Sequence, residues 1–460
     1  MDKIKVFFPE IELPYYIYEA IQIFGAVDSL AELYPNSENL VLEGEAENGR
    51  IVKCFPEGVN TKEIKRSVYI IMCGFTGRTS PWGCMTGIRP AKMVNQMKSL
   101  GIADIKAELM NFYLLREDKA ELTIETSETQ KKFLHTSGKN AGFYAGVPFC
   151  PSRCLYCSFT SNPIDKYKNV FHKYIDLCGI EIKETANLIN EYGYTIESLY
   201  VGGGTPTSLD AGGLDKFLGN LCNNLDLSNL KEFDLEAGRP DSITADKLKI
   251  AKDYGVNRLS INPQSMNDET LKLIGRKHTS AQIIEAFELA RNMGFDNINM
   301  DIIAGLPGET QEMFLHTLEE AGKLKPESLT VHTLSIKRSS KLKDDVSILN
   351  SLDSSQTGDM VSAAYEFAHK LNMKPYYLYR QKNMLGNHEN VAYCKNGCES
   401  LYNIHIMEED QTIFGIGAGA VTKAVSGDRI ERAYNVKSVE DYLSRLQLMV
   451  ERKRKLFENL

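Results

Sequence analysis

The chain has no apolar run long enough to cross a bilayer, because its longest apolar stretches, such as 68–73, span only a few residues. Its first residues also lack the apolar stretch of a secretory signal peptide. We therefore expect a cytoplasmic protein whose thiols stay reduced. The same reasoning argues against a disulfide framework among its 10 cysteines.

Positive charge is not in excess, since 53 Lys and Arg stand against 61 Asp and Glu. A net charge of -8 argues against broad contact with a nucleic-acid backbone, and no added RNA-binding domain is evident. No internal repeat is evident either, which argues against a solenoid. The length of 460 residues predicts several domains. We place a mixed α/β domain at 1–140, an α/β core at 141–338 and a C-terminal α+β module at 339–460.

Histidine is missing around the most distinctive cysteines of the chain, Cys150, Cys154 and Cys157. Three residues separate the first pair and two separate the second. Three thiolates without a histidine make a poor tetrahedral zinc set. They are one thiolate short of the four that normally hold a cubane iron–sulfur cluster. We predict that they bind such a cluster and leave one iron open, where a substrate or cofactor can bind.

Strand-like and helix-like segments alternate between residues 142 and 335 at the spacing of βαβ units, which predicts an α/β barrel or an open parallel sheet. The predicted strands are 143–147, 198–201, 233–236, 258–261, 298–303 and 329–334. Polar or glycine-rich residues follow the ends of these strands, where such folds place their chemistry. They are the cysteine loop, the glycine run 202–204, Glu236, Asn262 with Gln264, Asp301 and Ser335.

The glycine run Gly202-Gly203-Gly204-Thr205 lacks the lysine of a phosphate-binding loop, so phosphate binding is a weak inference. Glycines do let the backbone approach a neighbour or ligand closely. Beside a cysteine-bound cluster, this backbone can grip the amino and carboxyl ends of S-adenosylmethionine. Arg276 and Asp301 have two interpretations: a carboxylate clamp and a ribose-hydroxyl acceptor, or a salt bridge at the rim.

These motifs resemble the radical S-adenosylmethionine (radical SAM) family of oxygen-independent coproporphyrinogen III oxidases. The likeness rests on Gly-Val-Pro-Phe-Cys with the three-cysteine spacing, on Gly-Gly-Gly-Thr-Pro-Thr, and on Glu236, Gln264, Arg276 and Asp301 in order. The runs 81–90 and 375–383 resemble the HemZ-type branch in particular. The resemblance implies a partial (β/α)6 radical-SAM barrel, a [4Fe–4S] cluster, and one S-adenosylmethionine or two.

The resemblance also implies residue roles. Cys150, Cys154 and Cys157 would hold the cluster and serve catalysis. Positions around a first S-adenosylmethionine are matched by Tyr144, Gly203, Glu236 and Ser335. Positions around a second are matched by Tyr156, Gly204, Thr205, Gln264, Arg276 and Asp301, and Val421 matches a C-terminal contact. The implied reaction is decarboxylation of coproporphyrinogen III propionates to the vinyl groups of protoporphyrinogen IX through a 5′-deoxyadenosyl radical.

One position departs from the well-described decarboxylases, which carry a fourth cysteine two residues after the third. Here that residue is Phe159, as in HemW-type haem chaperones. Two alternatives therefore stay open: a haem-binding or haem-transfer protein, and a radical enzyme acting on haem or another tetrapyrrole. The expected partners are a tetrapyrrole and a flavodoxin- or ferredoxin-like electron donor, and we expect a monomer.

Carboxylates on a tetrapyrrole need cations, and arginine grips them best. The candidates are Arg239, Lys337, Arg338, Arg380 and Lys382. Cys394 and Cys398 form a second thiol pair that would need other ligands to bind a metal or haem iron.

Overall fold

The computed structural model describes residues 3–46, 49–56, 58–134, 138–159, 161–337, 339–345, 348–349 and 352–459. The chain divides into two compact units. The first contains residues 1–127 and 386–388, and the second contains 128–385 and 389–460. The predicted boundary after residue 140 thus lies inside the second unit, which begins at residue 128.

The first unit contains a four-stranded sheet in the order β2-β1-β3-β4. Its strands are β1 (Ile4–Phe7), β2 (Ala31–Tyr34), β3 (Leu40–Ala46) and β4 (Gly49–Phe55). Its helices are Tyr15–Gln22, Val27–Leu30, Thr61–Thr76, Pro90–Ser99 and Ile105–Ala107, and Glu117–Gln130 contains the boundary between the units. Trp82, the only tryptophan, is fully buried.

The second unit contains an eleven-stranded sheet and a two-stranded pair. The strands are β5 (Asn140–Val147), β6 (Phe149–Cys150), β7 (Asn162–Pro163), β8 (Thr195–Gly203), β9 (Glu232–Glu236), β10 (Arg258–Ser260), β11 (Ile298–Ala304), β12 (Ser328–Thr333), β13 (Lys374–Tyr379), β14 (Asn390–Cys394), β15 (Thr412–Ile416), β16 (Val421–Ser426) and β17 (Arg429–Tyr434). The helices are Phe171–Glu191, Ala211–Asn224, Ala245–Asp253, Asp268–Leu273, Ser280–Asn292, Gln311–Lys323, Ser354–Lys370, Leu401–Glu408, Val439–Ser444 and Leu446–Glu458.

Six parallel strands in chain order, β5-β8-β9-β10-β11-β12, form the middle of this sheet, and helices connect them. This is the predicted partial (β/α)6 arrangement, and all six predicted strands are present. Their near-continuous burial is typical of parallel strands covered on both faces. In β11 only Asp301 is partly exposed, and the other six residues are buried.

The segment after residue 339 continues the same sheet. Antiparallel β14 and β13 extend it beyond β12. On the other side β15 pairs in parallel with β5, and β16 and β17 follow. An open parallel sheet leaves unpaired backbone groups on its two edge strands, and these C-terminal strands satisfy them. The predicted C-terminal module is therefore part of the second unit.

No helix in the described parts of the chain is both long enough and apolar enough to cross a membrane.

Candidate active site

A cavity of about 700 Å³ opens at the carboxyl ends of the parallel strands in the second unit. Nearly all the site residues predicted from the strand ends and from the family resemblance line this cavity. They are Tyr144, Cys150, Cys154, Tyr156, Cys157, Gly203, Gly204, Thr205, Glu236, Gln264, Arg276, Asp301 and Ser335. Because parallel strands end at the same edge, residues far apart in the chain meet there.

The loop carrying the cysteines is fixed on both sides by backbone hydrogen bonds. The amide of Leu155 donates to the carbonyl of Ile274 over 2.9 Å, and the Leu155 carbonyl accepts from Leu342 over 3.1 Å. The hydroxyl of Thr205 lies 3.4 Å from the Cys150 sulfur. The Ser161 hydroxyl lies 3.8 Å from the Cys157 sulfur. The thiols are therefore held in place by the fold itself.

The charge environment of the thiols fits a bound cationic centre. Burial, with a smaller contribution from the neighbouring Cys157 and Cys154, raises the pKa of Cys150 to about 12. Burial also raises the pKa of Cys157. A metal centre binds cysteine as the thiolate, so it compensates the cost of the negative charge on Cys150 and Cys157.

Three cysteines on one short loop can each bind a different iron of a cluster. Among the described residues, no group of three or more His, Cys, Asp or Glu is arranged to hold a metal ion. One ion needs all its sulfur ligands within about 2.3 Å of one point. The cysteines of a cubane cluster bind different irons, so their sulfurs stand farther apart.

The glycine run presses its backbone against the cysteine strand. A Cβ at Gly204 would lie 2.4 Å from the Phe149 carbonyl oxygen and 3.0 Å from the Cys150 sulfur. Gly203 adopts φ +103°, which side chains rarely tolerate. The run therefore serves close approach to the cysteine loop and to whatever lies beside it.

The pKa values of two carboxyl groups in the cavity are shifted in opposite directions. Burial and the charge of Asp301 raise the pKa of Glu236 to about 7, although Glu236 accepts hydrogen bonds from Tyr200 and from Asn262 at 3.1 Å. Burial alone would raise the pKa of Asp301, but His332 at 3.5 Å and Asn299 at 2.8 Å hold it below its usual value. Asp301 is therefore the permanent anion, and Glu236 is poised to gain or lose a proton.

This difference predicts a pH dependence of S-adenosylmethionine binding. If Glu236 binds a cationic group of the cofactor, only its carboxylate form contributes, so affinity should fall as pH drops through about 7. The decrease should approach about tenfold per pH unit below that value. Equilibrium binding to the cluster-loaded protein between pH 6 and 8 measures it. Glu236→Gln should bind weakly at every pH, and a wild-type affinity independent of pH would contradict the assignment.

Gln264 and Arg276 are positioned by neighbouring backbone. Gln264 adopts φ +67°, and its backbone bridges to β11 by accepting from Ile303 at 3.0 Å. Arg276 donates to the Asn262 carbonyl, while its buried Nε has no hydrogen-bond partner among the described residues. Arg276 and Asp301 are both described, and no ion pair joins them. Asp301 pairs with His332 instead, so the salt bridge between Arg276 and Asp301 is absent. The unsatisfied Nε favours a ligand-binding role.

Sequence patterns missed several residues that line the cavity. Tyr200 from β8 and Tyr402 from the helix Leu401–Glu408 stack with ring centroids 4.5 Å apart, and Tyr144 stacks against Tyr200 at 6.2 Å. His332 and Lys437 also line it. Tyr200 lies on β8, the strand that leads into the glycine run, but no motif marked it. Tyr402 and Lys437 carry no local signal, because they reach the cavity through tertiary packing.

Other predicted residues lie elsewhere. Val421 begins β16 and does not line the cavity, and its backbone packs against Gly415 instead. Of the candidate cations, Lys337 and Arg239 line the cavity, whereas Arg380 and Lys382 do not. Arg338 lies outside the described residues.

The second thiol pair does not reach the cavity either. Cys394 is buried in an apolar cluster with Tyr376, Tyr377 and Ile404, and Cys398 packs against that cluster. A core-packing role accounts for both cysteines.

The loop around Ala418 and Gly419 reaches the cavity through a buried network. Glu181 accepts from the Gly417 amide at 2.8 Å, and the Tyr174 hydroxyl accepts from the Ala418 amide at 3.0 Å. Glu181 also forms an ion pair with Lys453, and both side chains are at most 1% exposed. The C-terminal helix thus helps to position one wall of the cavity.

Comparison with known proteins agrees with this geometry. The model of the Radical SAM superfamily matches residues 144–321, which include the three cysteines, the glycine run and most of the parallel strands. Along 99% of this chain and 94% of the relative, the chain is 37% identical to the oxygen-independent coproporphyrinogen-III oxidase-like protein HemZ of Bacillus subtilis. The chain belongs to the HemZ family of radical SAM proteins.

Two further likenesses are partial. The haem chaperone HemW of Bacillus subtilis is 33% identical over 60% of this chain and 69% of its own length. The solved structure of coproporphyrinogen III oxidase (HemN) from Escherichia coli has a TM-score of 0.55, with 23% identity over 70% of this chain and 73% of that chain. This second likeness supports the fold.

For this HemZ-family protein, membership in the radical SAM family implies a [4Fe–4S] cluster and S-adenosylmethionine. The three thiols and the glycine run fit these groups. Radical SAM enzymes act on a small-molecule substrate and use an external electron donor. The individual S-adenosylmethionine contacts stay predictions.

Proposed function

We propose that this protein catalyses the oxygen-independent oxidative decarboxylation of coproporphyrinogen III, converting two propionate side chains to the vinyl groups of protoporphyrinogen IX. The observation that carries the proposal is the single cavity, onto which the three thiols and two lysines, Lys337 and Lys437, open together. Its volume of about 700 Å³ lies in the usual range of ligand sites. The full-length likeness to HemZ, whose name refers to coproporphyrinogen-III oxidase, supports it.

When bound, the cluster and S-adenosylmethionine supply the one-electron chemistry that removes a hydrogen atom from a propionate. Loss of carbon dioxide and of one electron to an acceptor then leaves the vinyl group, and repetition on a second propionate completes the product. The chain's own part is positioning. The ammonium groups of Lys337 and Lys437 bind the substrate carboxylates. The stacked tyrosines beside Glu236 line the cavity and exclude water from it.

Anaerobic incubation of the reconstituted, reduced protein with S-adenosylmethionine and coproporphyrinogen III tests the proposal. Porphyrin masses and 5′-deoxyadenosine are followed together. We expect stepwise loss of two carboxyl groups. Release of 5′-deoxyadenosine with no carboxyl loss would contradict the proposed substrate while leaving the radical chemistry intact.

Lysine variants locate the substrate carboxylates. Lys337→Met and Lys437→Met should each raise KM for the porphyrinogen about tenfold, because a charge-assisted hydrogen bond contributes about 1.5–3 kcal/mol. Substrate-independent cleavage of S-adenosylmethionine should stay unchanged. Lys455→Met removes a lysine from the exposed face of the C-terminal helix and is the matched control. An unchanged KM in both cavity variants would place the substrate elsewhere.

A second candidate is haem binding and transfer, which Phe159 favours. Its side chain is 70% exposed and lines the cavity, where the well-described decarboxylases have a cysteine. An exposed aromatic side chain suits stacking on a macrocycle. This candidate predicts stoichiometric haem binding that Phe159→Ala weakens, with no carboxyl loss. A radical enzyme acting on haem or another tetrapyrrole would instead cleave S-adenosylmethionine without consuming coproporphyrinogen.

A further inference from the structure

Arg239 is a buried arginine that contacts the cysteine loop through one of its guanidinium nitrogens. It follows β9, is 2% exposed, and begins a short turn at Pro240–Ser242. Its Nη1 lies 3.8 Å from the Cys154 sulfur. The same nitrogen donates to the hydroxyl of Ser152 at 3.1 Å and to its carbonyl at 3.3 Å.

The other two nitrogens of Arg239 bind Asp241. Nε donates to one carboxylate oxygen at 2.9 Å and Nη2 to the other at 2.7 Å. Burial alone would raise the pKa of Asp241, but His278 and Arg239 hold it below its usual range, so the pair stays ionic. Each of the three guanidinium nitrogens thus donates at least one hydrogen bond within the protein. This differs from the substrate-binding role expected from the sequence.

We propose that Arg239 is a positioning residue whose fixed positive charge, oriented by Asp241 and directed at Cys154, raises the reduction potential of the iron–sulfur cluster. The proposal goes beyond the function above and does not depend on which tetrapyrrole the protein uses. It concerns how readily the cluster accepts the electron that starts each turnover.

The direction of the effect on the reduction potential follows from the change in charge. Reduction adds one negative charge to the cluster, and a nearby cation stabilises the reduced form. Hydrogen bonds to sulfur, net charge and exclusion of solvent set such potentials. Here the guanidinium is buried, so solvent screens it little. Asp241 lies on the far side of the guanidinium and offsets part of its charge.

Replacing Arg239 with glutamine should therefore make the cluster harder to reduce. At a fixed applied potential, we expect the ratio of reduced to oxidised cluster in Arg239→Gln to fall about tenfold, which is about 59 mV for a one-electron couple. A redox titration monitored by electron paramagnetic resonance measures this ratio without substrate. An unchanged ratio in a variant with full iron content would overturn the proposal.

The variant Asp241→Asn should change the reduced fraction of the cluster in the opposite direction, which makes it the decisive comparison. It removes the compensating negative charge while Ser152 still holds Nη1, so the reduced fraction should rise. Lys247→Gln is the matched control, because Lys247 donates to the Ser242 carbonyl of the same turn at 3.0 Å and has no contact with a thiol in the described residues. We expect its titration to match the wild type.

The two variants together either support or overturn the proposed role of Arg239. If Arg239→Gln does not retain its cluster, a raised reduced fraction in Asp241→Asn still supports the proposal. A fall in both variants, or loss of the cluster from both, would assign the pair a purely structural role and overturn it. Because the titration needs no tetrapyrrole, its failure is distinct from failure of the decarboxylation assay.

Discussion

Replacing Cys154 with alanine is expected to abolish both cluster binding and S-adenosylmethionine cleavage. Cys154 is the middle of the three thiols that open onto the cavity, and it is buried. A cubane already short of one cysteine would keep only two thiolates, too few to hold it against chelation. The replacement also leaves Arg239 without its sulfur neighbour at 3.8 Å. Iron content, the visible absorbance of the cluster and 5′-deoxyadenosine release should all fall to background.

Cys222→Ala is the matched control. Cys222 lies on the helix Ala211–Asn224 and contacts the Tyr254 carbonyl at 3.8 Å, away from the cavity lining. This variant should keep wild-type iron and cleavage. Cleavage by Cys154→Ala at more than background would show that the three cysteines are not the cluster ligands.

Replacing Lys453 with methionine should cost about 3–5 kcal/mol of folding free energy, because it leaves the Glu181 carboxylate buried without its cation. Glu181 is 0% exposed and would keep only hydrogen bonds from Asn435, Tyr442 and the Gly417 amide. Urea unfolding monitored by circular dichroism measures the change. Since the same network positions Ala418 and Gly419, S-adenosylmethionine affinity should fall as well.

A double variant separates the contribution of the ion pair to folding stability from the contribution of side-chain packing. Glu181→Gln combined with Lys453→Met removes both charges and should recover much of the lost stability, giving a coupling energy of the ion pair. Lys455→Met, on the exposed side of the same helix, should change stability by less than about 0.5 kcal/mol. A Lys453→Met variant as stable as this control would mean that the buried pair contributes nothing.

The six parallel strands could be predicted because each is a short apolar run with a polar residue at its end. Their observed bounds differ from the predicted ones by at most three residues, as in β5, which begins at Asn140. Parallel topology then placed those ends at one edge, which is why Glu236, Gln264 and Asp301 meet in one cavity. The HemZ-family membership was evident from the same motifs.

Residues from the C-terminal segment could not be predicted. Tyr402 reaches the cavity because the Glu232 carboxylate accepts from the Leu401 and Tyr402 amides at 2.7 and 3.1 Å and so caps that helix. Arg258, fully buried beside Asp234 at 3.1 Å, also donates to the Cys398 carbonyl and ties the same segment to the parallel strands. The contacts of Glu232 and Arg258 with this segment join residues more than a hundred positions apart, and no periodicity predicts them.

By itself, the sequence determined the chemistry of this protein: three cysteines at cluster spacing, a glycine run after the next strand, and carboxylates at strand ends. These are local signals, since spacing along one loop or one strand decides them. Only the tertiary structure decided the charge around the thiols. From the sequence, Arg239 was a candidate to bind a substrate carboxylate. In the fold its guanidinium group contacts Cys154 instead, because hydrogen bonds to Asp241 and Ser152 hold it there. The direction of a long side chain depends on partners that folding brings together, and spacing along the chain does not encode it.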